Sequence, residues 1–245
     1  MVQLGSRFPQ FYLTAPSPCP YLPGRLERKV FTQLAGKSAQ ALNDALTHAG
    51  FRRSQNIAYK PACDGCLSCV SVRIVAQSFK AKPWQRRVLA ANDDITGSWV
   101  ANVATHEQFQ LLRRYLVSRH PGGGMTGMDD DDYATMVEDS AVPTHIVEYR
   151  MKGEGGRPGK LVAAALTDIL ADGLSMVYSF FDPTLSRRGL GNFIILDHVA
   201  RATARGLPYV YLGYWVPGSE KMSYKARFAP LESLDPEGWV PLETD

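Results

Sequence analysis

The chain has 245 residues, 45% of them hydrophobic and 21% charged, with a formal net charge of +3. This is an ordinary globular composition, long enough for a sizeable core in one large domain or two small ones. No apolar run reaches the roughly 18 residues that a membrane-spanning helix requires, which argues against a helical membrane protein. The charge is uneven: residues 129–139, "DDDDYATMVED", hold six acids and no lysine or arginine, so the remainder is basic enough to suit nucleic acid.

The opening stretch, "MVQLGSRFPQFYL", contains no apolar run of secretory length, which predicts a cytoplasmic protein. In a reducing compartment the four cysteines stand as thiols or metal ligands rather than disulfides. The proline-rich "TAPSPCPYLPGRLER" predicts irregular chain. "KSAQALNDALTHAGF" then sets Ala41, Leu42, Ala45, Leu46 and Ala49 at helical spacing, with Gly50 as a stop. A tight cysteine loop, "PACDGCLSC", leads into an alternating strand at 70–76, "VSVRIVA". "KAKPWQRRVLAAND" reads as a linker that becomes a basic helix. "THEQFQLLRRYLVSRH" predicts a helix capped by Thr105 with Phe109, Leu112 and Leu116 on one face, broken by "HPGGGM".

From residue 144 the pattern becomes regular. "THIVEYRM" is a strand, "GEGGRPG" a turn, "KLVAAALTDIL" a second strand, and "ADG" a hairpin turn before "LSMVYSFFDP". "SRRGLGNFIILDHVARATARGL" is a glycine-led helix with Phe193, Leu196, Val199 and Ala200 inward, and "PYVYLGYW" is a further strand. This order resembles the core of the GCN5-related acyltransferase fold, in which the glycine turn offers N–H groups and a helix N-terminus to phosphates. Acetyl-CoA enzymes of that fold show Arg/Gln-x-x-Gly-x-Gly/Ala. Here Gly189 and Gly191 are kept but Ser186 stands first. The expected class is α/β (α+β): a GCN5-like mixed sheet forming a catalytic lobe at 100–240, with a small cysteine-bearing N-terminal lobe at 1–85. A linker is expected near 80–100.

"PCPYLPGRLER" (18–28), "YKPACDGCLSCVSVRI" (59–74), "FFDPTLSRRGLGNFIILDHVARA" (180–202) and "PYVYLGYWVPGSEKMSYKARFAPLE" (208–232) together resemble the arginyl-tRNA–protein transferase family. The short chain is similar to its bacterial branch, the aspartate/glutamate leucyltransferases. The resemblance implies transfer of leucine from leucyl-tRNA to the N-terminal α-amine of proteins beginning with Asp or Glu, marking them for proteolysis. It implies no cofactor for the transfer, no membrane partner and a monomer. Two other readings stay open: an acetyl-CoA-dependent N-acetyltransferase, which Ser186 disfavours, and a non-catalytic RNA- or metal-binding module.

Asp182, at the end of the strand carrying Phe180 and Phe181, is the candidate for orienting the amine or accepting its proton, with apolar surroundings raising its pKa. Asp182-Pro183 also fits a plain turn. Arg73 is the candidate for the acceptor's acidic side chain, because its planar fork matches a carboxylate; the alternative is a brace for the cysteine loop. Tyr115, Arg119 and His120 are expected to complete that pocket, although cations also suit a helix C-terminus. Donor and tRNA binding is expected from Arg187, Arg188, Gly189 and Gly191 at the turn. Lys221, Lys225 and Arg227 join them, with Trp215 and Tyr224 to stack on bases. Cys63, Cys66 and Cys69 are spaced C-x2-C-x2-C and Cys19 is a possible fourth ligand, a set suited to zinc or an iron–sulfur cluster; a reduced thiol cluster is the alternative.

Overall fold

The structure is a computed structural model that describes residues 9–119, 121–153, 155 and 157–243. Short strands β1 (Tyr12–Leu13), β2 (Ser17–Pro18) and β3 (Leu26–Glu27) precede β4 (Lys29–Gln33). Helix α1 (Ala39–His48) follows, then β5 (Arg52–Ser54) and β6 (Ile57–Pro61). Strands β1, β4, β6 and β5, in that order, make an antiparallel sheet. Leu34, Ala39, Leu46 and Ala58 form a small core there. The buried face of α1 is Ala39, Asn43, Leu46 and Thr47, whereas Ala41, Ala45 and Ala49 are exposed. The alanine spacing misplaces this face because alanine gains little from burial, so Asn43 and Thr47 are turned in instead.

The larger sheet has eight strands in the order β14-β13-β7-β12-β11-β10-β9-β8. It comprises β7 (Val70–Val75), β8 (Ile95–Ala101), β9 (Thr144–Met151), β10 (Leu161–Ile169) and β11 (Gly173–Phe181), then β12 (Tyr209–Trp215), β13 (Leu231–Asp235) and β14 (Gly238–Pro241). Every neighbouring pair is antiparallel except β11 and β12, which are joined by helix α5 (Leu190–Ala204). A parallel pair needs such a crossover.

The 80–100 segment is not a linker. It forms α2 (Pro83–Ala90), packed against α5, and the edge strand β8. The expected boundary near 85 is likewise crossed, because β7 from the N-terminal third lies inside the large sheet between β13 and β12. Helix α3 (His106–Arg119) opens as expected at Thr105, whose Oγ1 accepts from the Gln108 N–H while Gln108 Oε1 accepts from the Thr105 N–H. The acidic run is α4 (Asp130–Glu138): Asp129 caps it, and its first-turn aspartates suit the positive end of the helix dipole.

One core holds Val72, Ile74, Val147, Leu174 and Val210 against Ile194, Leu196 and Val199 of α5. A second packs Phe109, Leu112 and Leu116 of α3 and Tyr133 of α4 on Ile146, Ala164 and Phe180. Ala200, expected inward on α5, is exposed and Ala202 is buried instead. His120 and two positions of the 153–159 turn lie outside the described residues.

Candidate active site

Strands β11 and β12 pair only over Gly173–Ser175 and Tyr209–Tyr211, then part. Each carries a register shift at that point. On β11, Leu166 faces Tyr178 while Thr167 faces Met176, leaving Val177 as the extra residue. On β12, Arg73 faces Tyr211 while Val72 faces Gly213, leaving Leu212 as the extra residue. Two bulges therefore stand where the strands diverge. Carbonyls freed there need donors if they are not to be orphaned. Arg52 of β5 supplies them: Nη1 donates to Leu212 O at 3.0 Å, and Nη2 to Met176 O and Val177 O at 3.0 and 2.9 Å. The guanidinium lies so close to Gly213, at φ +73°, that a Cβ there would fall 1.3 Å from Nη1. Glycine is required on both counts. Sequence reading missed Arg52. A glycine inside the strand pattern "YLGYW" was the available signal, since it marks a bulge or a close approach.

Beyond the opening, Phe181 meets Tyr115 edge-on with ring centroids 5.0 Å apart, and the Arg119 guanidinium lies 5.8 Å from the Phe181 ring. Burial raises the Tyr178 phenol above its ordinary range, with Tyr115 adding to it. Tyr224 keeps much of its surface exposed, but crowding about its hydroxyl raises it as well, with Arg52 opposing and Tyr115 adding. Tyr115 is thus within electrostatic reach of both Tyr178 and Tyr224, and Arg52, which holds the carbonyls of the opening, is within reach of Tyr224.

Asp182 follows Phe181 and is 1% exposed. Lys160 Nζ donates to its Oδ2 at 2.6 Å, while the Thr184 N–H and hydroxyl donate to Oδ1 at 3.0 and 2.6 Å. Burial pushes the Asp182 pKa up, but the hydrogen bonds of Lys160 and Thr184 outweigh it and hold the carboxyl below its usual range. The expected upward shift is therefore corrected: the surroundings are polar at the carboxylate oxygens. Asp182 also caps the 3₁₀ turn Pro183–Arg188, so turn and site geometry coincide.

Arg73 is not open to a ligand. It is 5% exposed, its Nε donates to Glu232 Oε2 at 2.7 Å, and its Nη1 donates to the Tyr211 hydroxyl at 3.1 Å. Its guanidinium stacks 3.5 Å over the Tyr209 ring and 4.3 Å over Trp239. Arg73 faces Tyr211 and Glu232 across the sheet, which makes it a brace for β12 and β13 rather than a reader of an acceptor carboxylate.

At the glycine turn, Gly189 adopts φ +63° ahead of α5, and a Cβ on Gly191 would press on the Phe181 ring at 3.2 Å. Arg187 is exposed. Arg188 is taken up by the Ala91 carbonyl and by Asp94, so it anchors the turn. Lys221 and Arg227 are exposed, Tyr224 is 40% exposed, and Trp215 is half-buried against the core. Lys225 is not a surface cation: it is 4% exposed and donates to the Tyr214 carbonyl. Burial, then the Arg52 charge, pushes its pKa well below the usual lysine range.

The four cysteines share one neighbourhood: burial and the thiols of Cys19, Cys63 and Cys66 push Cys69 up to about 11. Among the described residues, however, no three cysteine, histidine or carboxylate side chains converge as metal ligands. Cys63 Sγ instead meets the Arg28 backbone, at 3.5 Å from N and 3.7 Å from O, and Cys66 Sγ contacts Ser68 Oγ at 3.5 Å. The expected zinc or iron–sulfur site is not supported.

A mixed sheet whose one parallel pair parts at facing bulges, with a glycine turn leading into the crossover helix, is the GCN5-related acyltransferase fold. The family model described as "Arginine-tRNA-protein transferase, N terminus" matches residues 17–87, and its C-terminal counterpart matches residues 107–235. A relative from Rhodopseudomonas palustris named aspartate/glutamate leucyltransferase is 61% identical over 98% of this chain and 95% of its own. One of the same name from Nitrobacter winogradskyi is 59% identical over 100% of this chain and 96% of its own. This chain belongs to the arginine-tRNA-protein transferase family. A solved GCN5-related glucosamine N-acetyltransferase region of a fungal β-N-acetylglucosaminidase covers 92% of this chain and 24% of that one. It is 12% identical with a TM-score of 0.42, too loose a likeness to add anything.

Proposed function

We propose that this chain transfers leucine from leucyl-tRNA to the N-terminal α-amine of proteins beginning with Asp or Glu. The observation that carries this reading is the 61% identity, over nearly the whole chain, to a relative named aspartate/glutamate leucyltransferase. In this reaction the amine nitrogen bonds to the ester carbonyl carbon. The ester C–O bond to the terminal ribose breaks, and the proton lost by nitrogen ends on the ribose oxygen or in water. The ester is already activated, and an α-amine of pKa about 7.7–8.0 is partly neutral near pH 7. Positioning then supplies most of the acceleration.

In this reading the aminoacyl end enters at the parted strands beside Tyr178 and Tyr224, with Gly189, Gly191, Arg187, Lys221, Arg227 and Trp215 toward the tRNA. Asp182, buried and kept ionised by Lys160 and Thr184, is a poor proton acceptor and positions Lys160 and the Pro183–Arg188 turn beside the acceptor's amine. Tyr115 and Arg119 face the acceptor, Arg119 taking the acidic side chain in place of Arg73. Arg52 already occupies the backbone carbonyls of the opening, which disfavours a CoA arm there and agrees with Ser186. No helix among the described residues is long and apolar enough to cross a membrane. A cytoplasmic monomer feeding N-terminal-residue-dependent proteolysis is the wider setting we propose.

The test offers radiolabelled leucyl-tRNA and arginyl-tRNA to peptides beginning with Asp, Glu, Lys or Ala, with acetyl-CoA as a parallel donor. Leucine should appear on the Asp and Glu peptides alone. Equal use of arginyl-tRNA, or acetylation without leucylation, would defeat the proposal.

A further inference from the structure

We propose that the outward face of α2 is a contact for the phosphate backbone of tRNA; this rests on the transfer reading above. The stretch 80–91, "KAKPWQRRVLAA", holds Lys80, Lys82, Arg86 and Arg87 and no acid. The helix buries Gln85, half-buries Trp84 and Val88, and leaves Arg86 and Arg87 exposed. A helix with one cationic face and no carboxylate along it is not built for mutual salt bridging; it suits an external polyanion.

Placement ties this face to the site. Val88 sits beside the glycine turn, 3.7 Å from where a Gly189 Cβ would be. Asn92 Nδ2 donates to the carbonyls of Val88 and Arg188, both at 2.8 Å, and the Arg188 guanidinium bonds back to Ala91. On its other flank, the Arg227 guanidinium lies 4.2 Å over the Trp84 ring, and Trp84 meets Phe228 with ring centroids 5.7 Å apart. Helix α2 is thus held between the turn bearing Arg187 and the segment bearing Lys221 and Arg227. Among the described residues, none of Lys80, Lys82, Arg87, Arg187, Lys221 and Arg227 has a carboxylate partner. Unpaired cations from three segments therefore meet beside the proposed entrance for the aminoacyl end. Nucleic acid fits this better than a protein carboxylate pocket, because the cations are spread along an exposed surface and not gathered in a cleft.

The experiment measures binding of tRNA-Leu across a salt series for three forms of the full chain. These are the wild type, Lys82→Gln/Arg87→Gln, and a charge-matched control, Lys37→Gln/Arg205→Gln, whose Arg205 lies at the far end of α5. Each phosphate contact contributes a log–log salt slope of about −0.7 to −0.9. The α2 variant should be shallower by about 1.5, bind several-fold more weakly near physiological salt, raise KM for leucyl-tRNA and leave kcat unchanged. Glutamine keeps helix propensity, and an unaltered melting temperature checks the fold. A wild-type slope in the α2 variant, or an equal change in the control, overturns the contact. If the wild type binds tRNA but transfers nothing, the proposed function falls while the slopes still decide the α2 contact.

Discussion

His198 is fully buried on α5, where its Nε2 lies 2.8 Å from Thr167 Oγ1 and its Nδ1 lies 2.8 Å from the Ile194 carbonyl. The Tyr149 hydroxyl is 3.3 Å away, and Trp99 approaches edge-on. Burial pulls its pKa down to about 4 from an ordinary 6.5, with Asp197 opposing and Arg201 assisting. The folded protein thus holds this ring neutral while the unfolded chain protonates it, so stability is complete above about pH 6.5 and falls as pH drops toward 4. The loss is about 3 kcal/mol when both limits are reached. Melting temperatures between pH 7 and pH 4 should decline with this profile, and His198→Gln should flatten it. An unchanged decline in the variant would assign the effect to other groups. Asp182 and Glu107, whose carboxyls are held below their usual range, act in the same direction but at lower pH.

The parting of β11 and β12 is the element on which the site depends, and Gly213 is its weakest point. Gly213→Ala would force a Cβ into the Arg52 guanidinium at a backbone angle that L-residues avoid. Three carbonyls would then lose their donor. We expect a loss of about 3 kcal/mol or more in stability and transfer activity reduced beyond what unfolding accounts for. Arg52→Lys should be milder, since an ammonium keeps the charge but cannot span both strands as a planar fork does. If Gly213→Ala melts and turns over like the wild type, Arg52 does not hold the gap. The strands, α5 and the glycine turn were legible because period and punctuation are local signals. Arg52 was not: it reaches carbonyls 124 to 160 residues away, and a single arginine in "GFRRSQN" carries no local pattern. Arg73 and Lys225 misled for the related reason that a cation in a sequence does not disclose its partner. Arg73 is buried on a carboxylate of β13, 159 residues on, and Lys225 on a β12 carbonyl 11 residues back.

At the scale of the molecule, the N-terminal sheet is fastened to the large one by adjacent arginines. Arg52 holds the opening, and Arg53 enters a buried site on β10. Arg53 Nε and Nη2 each donate to an Asp168 oxygen at 2.6 Å, and both side chains are 1% exposed. The Thr144 hydroxyl adds a bond to Asp168 at 2.7 Å, and Arg53 Nη1 reaches the Gln55 carbonyl at 2.6 Å. A buried pair with its remaining hydrogen bonds satisfied gives modest net stability, but removing one member strands a charge in low dielectric at a cost of about 3–5 kcal/mol. Arg53→Met and Asp168→Leu should each lower stability by that amount, while the double variant should recover part of it because no charge is left unpaired. Because Arg52 is the next residue on β5, loosening Arg53 should also impair transfer at temperatures where the large sheet remains folded. Urea unfolding of the three variants, with leucine transfer and limited proteolysis on the same samples, reads both effects. If the single variants keep wild-type stability, or the double variant is worse than their sum, the pair is not the latch between the two sheets.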